Sequence, residues 1–215
     1  MQKRHRGNNN MAQDVLITGA DRKHILQRVL SDTVEELRVH TNGTLRSIVD
    51  AGSLLGFIRQ QRSLPWDDDH DVAIYYKDFA PFYHDRSIYD RVVESLELRG
   101  LAFSLNYQSE KCAVCGRSTD IRSGFYIDIF VWRDGYGAWT RGPKYRGAVK
   151  GCWRENGGEE RAGSRNETMV HVTGDWHMFG WDKVVEKSAL LPLRPINSFD
   201  GVQHLYVPND PIRVA

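Results

Sequence analysis

Three cysteines in 215 residues, an odd number, cannot close a full disulfide framework. No apolar run is long enough to cross a bilayer, and the basic, polar residues 1–10 are not followed by the apolar segment of a secretory leader. Those absences give the expectation of a cytoplasmic protein. An excess of one charge is missing too: 29 Lys plus Arg face 28 Asp plus Glu, and the net charge of +1 gives no bulk attraction to nucleic acid or an acidic membrane. The length suits one substantial core and is short for two domains. We therefore expect a tail over residues 1–20 and a single domain over 21–215, interrupted by an irregular insertion around 134–175.

What the chain does have is acid, concentrated in one place. Gly52-Ser53-Leu54-Leu55-Gly56-Phe57-Ile58-Arg59 is followed by Leu64-Pro65-Trp66-Asp67-Asp68-Asp69-His70-Asp71-Val72-Ala73-Ile74. Four carboxylates in five residues run straight into an apolar segment that reads as a strand. Side chains alternate along a strand, so Asp67, Asp69 and Asp71 are expected on one face, with Asp69 and Asp71 about 6.7 Å apart at the backbone. Carboxylates that close repel unless a cation lies between them, and magnesium is a hard cation that takes such oxygens. A solvated acidic turn would not need a second Asp in a distant apolar strand, and a helix cap uses one Asp, not an alternating set. An EF-hand loop needs glycine where Val72 stands.

That second Asp is Asp128, in the apolar run 125–132. An ionised group among Ile127, Ile129 and Phe130 is costly unless something charged or hydrogen-bonding meets it. Beside the first acidic strand, it would bring a third carboxylate to the same cation. Ahead of that strand, glycine at position 52 lets the backbone approach a phosphate, and the N–H groups of a helix beginning near Ser53 face negative charge. Arg59 lies close to two helical turns from Gly52; taken alone it is either a phosphate ligand or a surface arginine.

Periodicity gives an amphipathic helix from Asp21 to the stop at Asn42-Gly43, a short strand over 45–49, a helix over 89–99 ended by Gly100, and a strand over 101–107. Cys112 and Cys115 have the knuckle spacing of zinc sites, with Cys152 and His171 or His177 available to complete a tetrahedron. Two ordinary thiols in a turn would read the same way. Arg141, Lys144, Tyr145 and Arg146 form a basic cluster in an otherwise irregular stretch.

The Gly-Ser, its spacer and the Asp-x-Asp strand resemble the nucleotidyltransferase superfamily, and the string GSLLGFIRQQRSLPWDDDHDVAI resembles the LicD / fukutin-related family. The likeness extends to Tyr126-Ile127-Asp128-Ile129-Phe130-Val131, and more weakly to Phe199-Asp200-Gly201 and Val207-Pro208. It implies an α/β (α+β) nucleotidyltransferase-like domain with a small mixed sheet flanked by helices. It also implies transfer of a phospho-alcohol such as phosphocholine or ribitol phosphate from a cytidine-diphosphate alcohol to a sugar hydroxyl of a glycan. Under this reading Asp69, Asp71 and Asp128 hold Mg2+ or Mn2+, Asp67 is an outer ligand or the base, and Gly52, Ser53 and Arg59 seat the diphosphate. A lipid-linked sugar acceptor would place the protein at the inner membrane surface. Two other readings stay open: nucleotide monophosphate transfer from a triphosphate to a small molecule or protein, and a non-catalytic zinc-knuckle binding module.

Overall fold

Leu26, Val29, Leu30, Val34 and Leu37 recur at helical spacing, and the helix they form, α1 (Gly19–His40), buries all five. Asp21 in its first turn and Arg38 and His40 in its last match the sign of the helix dipole at each end. The computed structural model describes residues 19–67, 69–75, 78, 82, 85–105, 116–134, 169–172 and 183–215. Residues 1–18 of the expected tail, and Cys112, Cys115, Cys152 and His177 of the zinc reading, lie outside them, as does the basic cluster around Lys144.

The remaining elements are β1 (Ser47–Val49), α2 (Ala51–Gln60), β2 (His70–Tyr75), α3 (Arg86–Leu98), β3 (Leu101–Leu105), β4 (Gly116–Asp120) and β5 (Tyr126–Asp134), followed by β6 (Met169–Val172), β7 (Lys183–Glu186), α4 (Lys187–Leu190), β8 (Arg194–Pro195), β9 (Leu205–Val207) and α5 (Pro211–Val214). Seven strands form one mixed sheet in the order β3-β4-β5-β2-β1-β9-β8, and β6 extends from β5 to pair with β7. The expected mixed α/β architecture is the one observed. Every residue of β2 is buried, as a central strand covered on both faces requires. It runs parallel to β5 and antiparallel to β1. Helix α1 packs on β4, β5 and α3, while α2 packs on β1 and β2.

Three expectations change. The acidic segment is not a strand from Asp67: β2 begins at His70, where its ladder with β5 starts at Ile127, and β1 ends at Val49 opposite Val72. Helix α2 begins at Ala51, earlier than Ser53, because the Asp50 carboxylate caps it by accepting the Ala51 N–H at 2.8 Å. The expected insertion is not irregular throughout, since Met169–Val172 is a strand paired with both β5 and β7. A further strand, β4, appears where none is expected. Its inward residues are polar, so no apolar alternation marks it: Ser118 is fully buried against the Thr33 hydroxyl at 2.8 Å, and Asp120 takes Arg28 and the N–H groups of Arg122 and Ser123.

Candidate active site

Asp71 and Asp128 stand opposite one another on the parallel strands β2 and β5, so their side chains leave the same face of the sheet. Asp69, just before β2, joins them. One oxygen from each of the three carboxylates lies within 4.8 Å of the others. Asp71 is 9% exposed and Asp128 3%, which removes the water that would otherwise screen them.

The turn into α2 grips β2, the strand that carries Asp71. Gly52 N–H donates to Asp71 Oδ2 at 3.1 Å, Asp71 N–H donates to the Ser53 hydroxyl at 3.0 Å, and Asp50 N–H donates to the Asp71 carbonyl at 3.1 Å. A β-carbon on residue 52 would sit 3.2 Å from Asp67 Oδ2 and 3.3 Å from Asp71 Oδ2. Glycine is thus needed here for the approach of two carboxylates to a helix start. The preceding Ala51 holds φ at +43°, a strained value for a residue with a side chain. Asp50 is itself buried, and its second oxygen accepts the Trp132 indole N–H at 2.8 Å.

Burial, with crowding added to it at Asp71, raises the carboxyls of the group. Burial, then the neighbouring Asp69, Asp50, Asp67 and Asp128, push the Asp71 carboxyl well above its ordinary range. Asp67 is raised by burial, an effect partly offset by Arg22. One of its oxygens, Oδ2, is buried with no hydrogen-bond partner among the described residues. Oxygen-only donors converging within a few ångströms, with a raised carboxyl at their centre and an orphaned oxygen beside them, fit a hard divalent cation.

Arg117 answers the charge on Asp128. It lies opposite Asp128 across β4 and β5, donates from Nε at 2.7 Å and from a terminal nitrogen at 3.2 Å, and rests its guanidinium 3.9 Å from the Tyr126 ring centre. The sequence reading misses Arg117 because β4 lacks a strand pattern. It also misses Asp50, although an Asp directly before a helix start is a readable cap signal.

The residues expected to seat a diphosphate separate into two groups. Gly52 N–H and the Ser53 hydroxyl turn toward Asp71, and Ser53 is only 1% exposed, with the His70 Nδ1 at 3.4 Å. In this structure they hold Asp71, Gly52 by its carboxylate and Ser53 by its backbone N–H. Arg59, exposed in the last turn of α2 and seven residues from Gly52, stays available. Trp66, directly before Asp67, is 72% exposed.

Residues 44–154, just over half of the chain, match the family model described as the LicD/FKTN/FKRP nucleotidyltransferase domain. That span contains Asp50, Gly52, Asp67, Asp69, Asp71, Arg117 and Asp128. No curated protein matches the chain significantly. Among the described residues, no helix is long and apolar enough to cross a membrane.

Proposed function

The chain belongs to the LicD/FKTN/FKRP nucleotidyltransferase-domain family, a family of transferases, and from that membership and the carboxylate geometry we propose that it moves a phospho-alcohol from a cytidine-diphosphate alcohol to a sugar hydroxyl of a glycan. Phosphocholine or ribitol phosphate is the group we expect it to move. The observation that carries this reading is the meeting of Asp69, Asp71 and Asp128 oxygens within 4.8 Å.

Those three would hold Mg2+ or Mn2+. When bound, such a cation neutralises charge on the donor's phosphate oxygens and on the departing nucleotide. The chain's own groups supply the rest. Asp67, half-exposed at the edge of the cluster with its carboxyl raised by burial, takes the acceptor hydroxyl's proton. The acceptor oxygen forms its bond to the phosphorus bearing the alcohol as the bond from that phosphorus to the bridging oxygen breaks, and cytidine monophosphate leaves in line. Gly52, Ser53 and Asp50 keep Asp71 aimed while this happens, and Arg117 does the same for Asp128. Arg59 meets the diphosphate from α2. Phosphoryl transfer asks mainly for positioning and charge neutralisation, and both are built into this face of the sheet.

The test is product identity. Incubated with magnesium, a panel of nucleotide-diphosphate alcohols and candidate glycans, the protein is expected to release a nucleoside monophosphate in step with glycan modification. Pyrophosphate release from a triphosphate would instead make it a nucleotidyltransferase.

A further inference from the structure

Asp200 lies 46 residues beyond the family match, yet it ties together the parts that bear the carboxylates. With Gly201 it forms the two central residues of a tight hairpin turn: φ is +48° and +81°, and Phe199 and Val202 exchange backbone hydrogen bonds at 3.0 and 2.9 Å. Asp-Gly is a favoured pair for such a turn, and Asn-Gly serves equally well. Turn chemistry alone would leave the side chain in water. Here it is 2% exposed.

Its partners come from three other segments. Oδ2 accepts the Ser63 N–H at 3.1 Å and the Ser63 hydroxyl, Oδ1 lies 3.6 Å from Lys23 Nζ, and His70 Nε2 is 3.8 Å away, directly before Asp71. The Asp200 carbonyl accepts from the Gln27 side chain. Phe199 adds an edge-on contact to the His70 ring, with centroids 5.6 Å apart.

Ser63 belongs to the segment that leaves α2 and delivers Asp67 and Asp69 to the cluster. Gly56 lets that segment lie against α2, the Gln60 side chain donates to the Ser63 carbonyl at 2.8 Å, and Asp67 N–H donates to the Leu64 carbonyl at 3.1 Å. Mutual repulsion of the carboxylates pushes Asp67 and Asp69 outward. We infer that Asp200 is a positioning residue for the acidic segment: through Ser63 it fixes residues 61–67 so that Asp67 and Asp69 face Asp71 and Asp128 as a preformed cation site. The inference rests on the metal reading of that cluster for its consequence, though not for its geometry.

Two readouts on the full-length chain test it. Mn2+ affinity is followed by electron paramagnetic resonance, and amide hydrogen exchange over residues 61–67 is followed without metal, in the unaltered protein, Asp200→Asn and Ser63→Ala. Asp200→Asn keeps the turn, so a residue serving the turn alone would leave both readouts unchanged. The expected result is Mn2+ binding weakened about ten- to hundredfold, the range for partners that orient metal ligands, with faster exchange over 61–67; Ser63→Ala is expected to shift both in the same direction. Unchanged affinity and exchange in folded Asp200→Asn would overturn the inference, and should that variant not fold, the same null result in Ser63→Ala would do so. Failure of the unaltered protein to bind Mn2+ would strike the metal reading alone, because exchange reads the segment directly.

Discussion

Arg117 and Asp128 face one another across neighbouring antiparallel strands, the guanidinium holding both carboxylate oxygens at 2.7 and 3.2 Å. A planar fork fixes the plane of the carboxylate as well as its charge, which a lysine cannot do. Arg117→Ala is expected to lower kcat about tenfold or more, as loss of a partner that orients a ligand does. Arg117→Lys should recover only part of it. Steady-state transfer rates at saturating magnesium check this, and full recovery by lysine would show that charge alone matters.

Asp71 makes stability and function pull apart. Its carboxyl holds a proton more tightly in the fold than in the unfolded chain, so the folded state binds more protons above about pH 3.8 and stability falls as pH rises through the raised folded value. A divalent cation should reverse that loss. Without metal near neutral pH, Asp71→Asn is expected to unfold at a higher temperature than the unaltered protein, by about 2–4 °C for each kcal/mol of repulsion relieved, while losing transfer activity. Thermal melts with magnesium and with a chelator distinguish these states; a melt indifferent to both would contradict the crowding described here.

His70 acts in the opposite sense. It is 2% exposed, and burial lowers its pKa from 6.5 to about 4 despite the opposing pull of Asp200. Neutral in the fold, it takes up a proton on unfolding below pH 6.5, so stability should drop between pH 6.5 and 4 by about 3 kcal/mol. Urea titrations across that range, made in an Asp71→Asn background to silence the neighbouring carboxyl, should show the slope. His70→Asn should flatten it.

Two glycines on one helix should fail differently. A β-carbon at residue 56 would lie 2.6 Å from the Arg62 carbonyl oxygen, a backbone atom, so Gly56→Ala should destabilise by about 1–3 kcal/mol. At residue 52 the near atoms are carboxylate oxygens that can shift by tenths of an ångström. Gly52→Ala should therefore melt close to the unaltered protein and lose Mn2+ affinity. Melting temperature and metal titration on the same two samples separate the effects.

Much of this geometry was legible in the chain. The apolar stripe of α1, the Asp-x-Asp segment and the isolated Asp128 each carry their own pattern, and the position of Asp128 could be argued from the cost of an ion among Ile127, Ile129 and Phe130. Arg117 was not legible, because β4 fills its buried positions with Gly116, Ser118 and Asp120, whose polar groups are satisfied by α1 and by their own turn. The contacts that Gly52 and Ser53 make with Asp71 were not legible for a related reason. Sequence shows that a small, donor-bearing pair precedes the acidic segment, but only the pairing of β1 with β2 reveals that Asp71 is the group it meets. Asp200 stood out only within the weak likeness around Phe199-Asp200-Gly201, and its tie to Ser63 spans 137 residues.

The most direct measurement of the proposed cation site is anomalous scattering from crystals grown or soaked with Mn2+ and a cytidine-diphosphate alcohol. A manganese peak bounded by oxygens of Asp69, Asp71 and Asp128, with the donor's phosphates on its open side, is the expected result. Manganese bound elsewhere, or a donor seated away from these three carboxylates, would contradict the assignment of this face as the site of transfer.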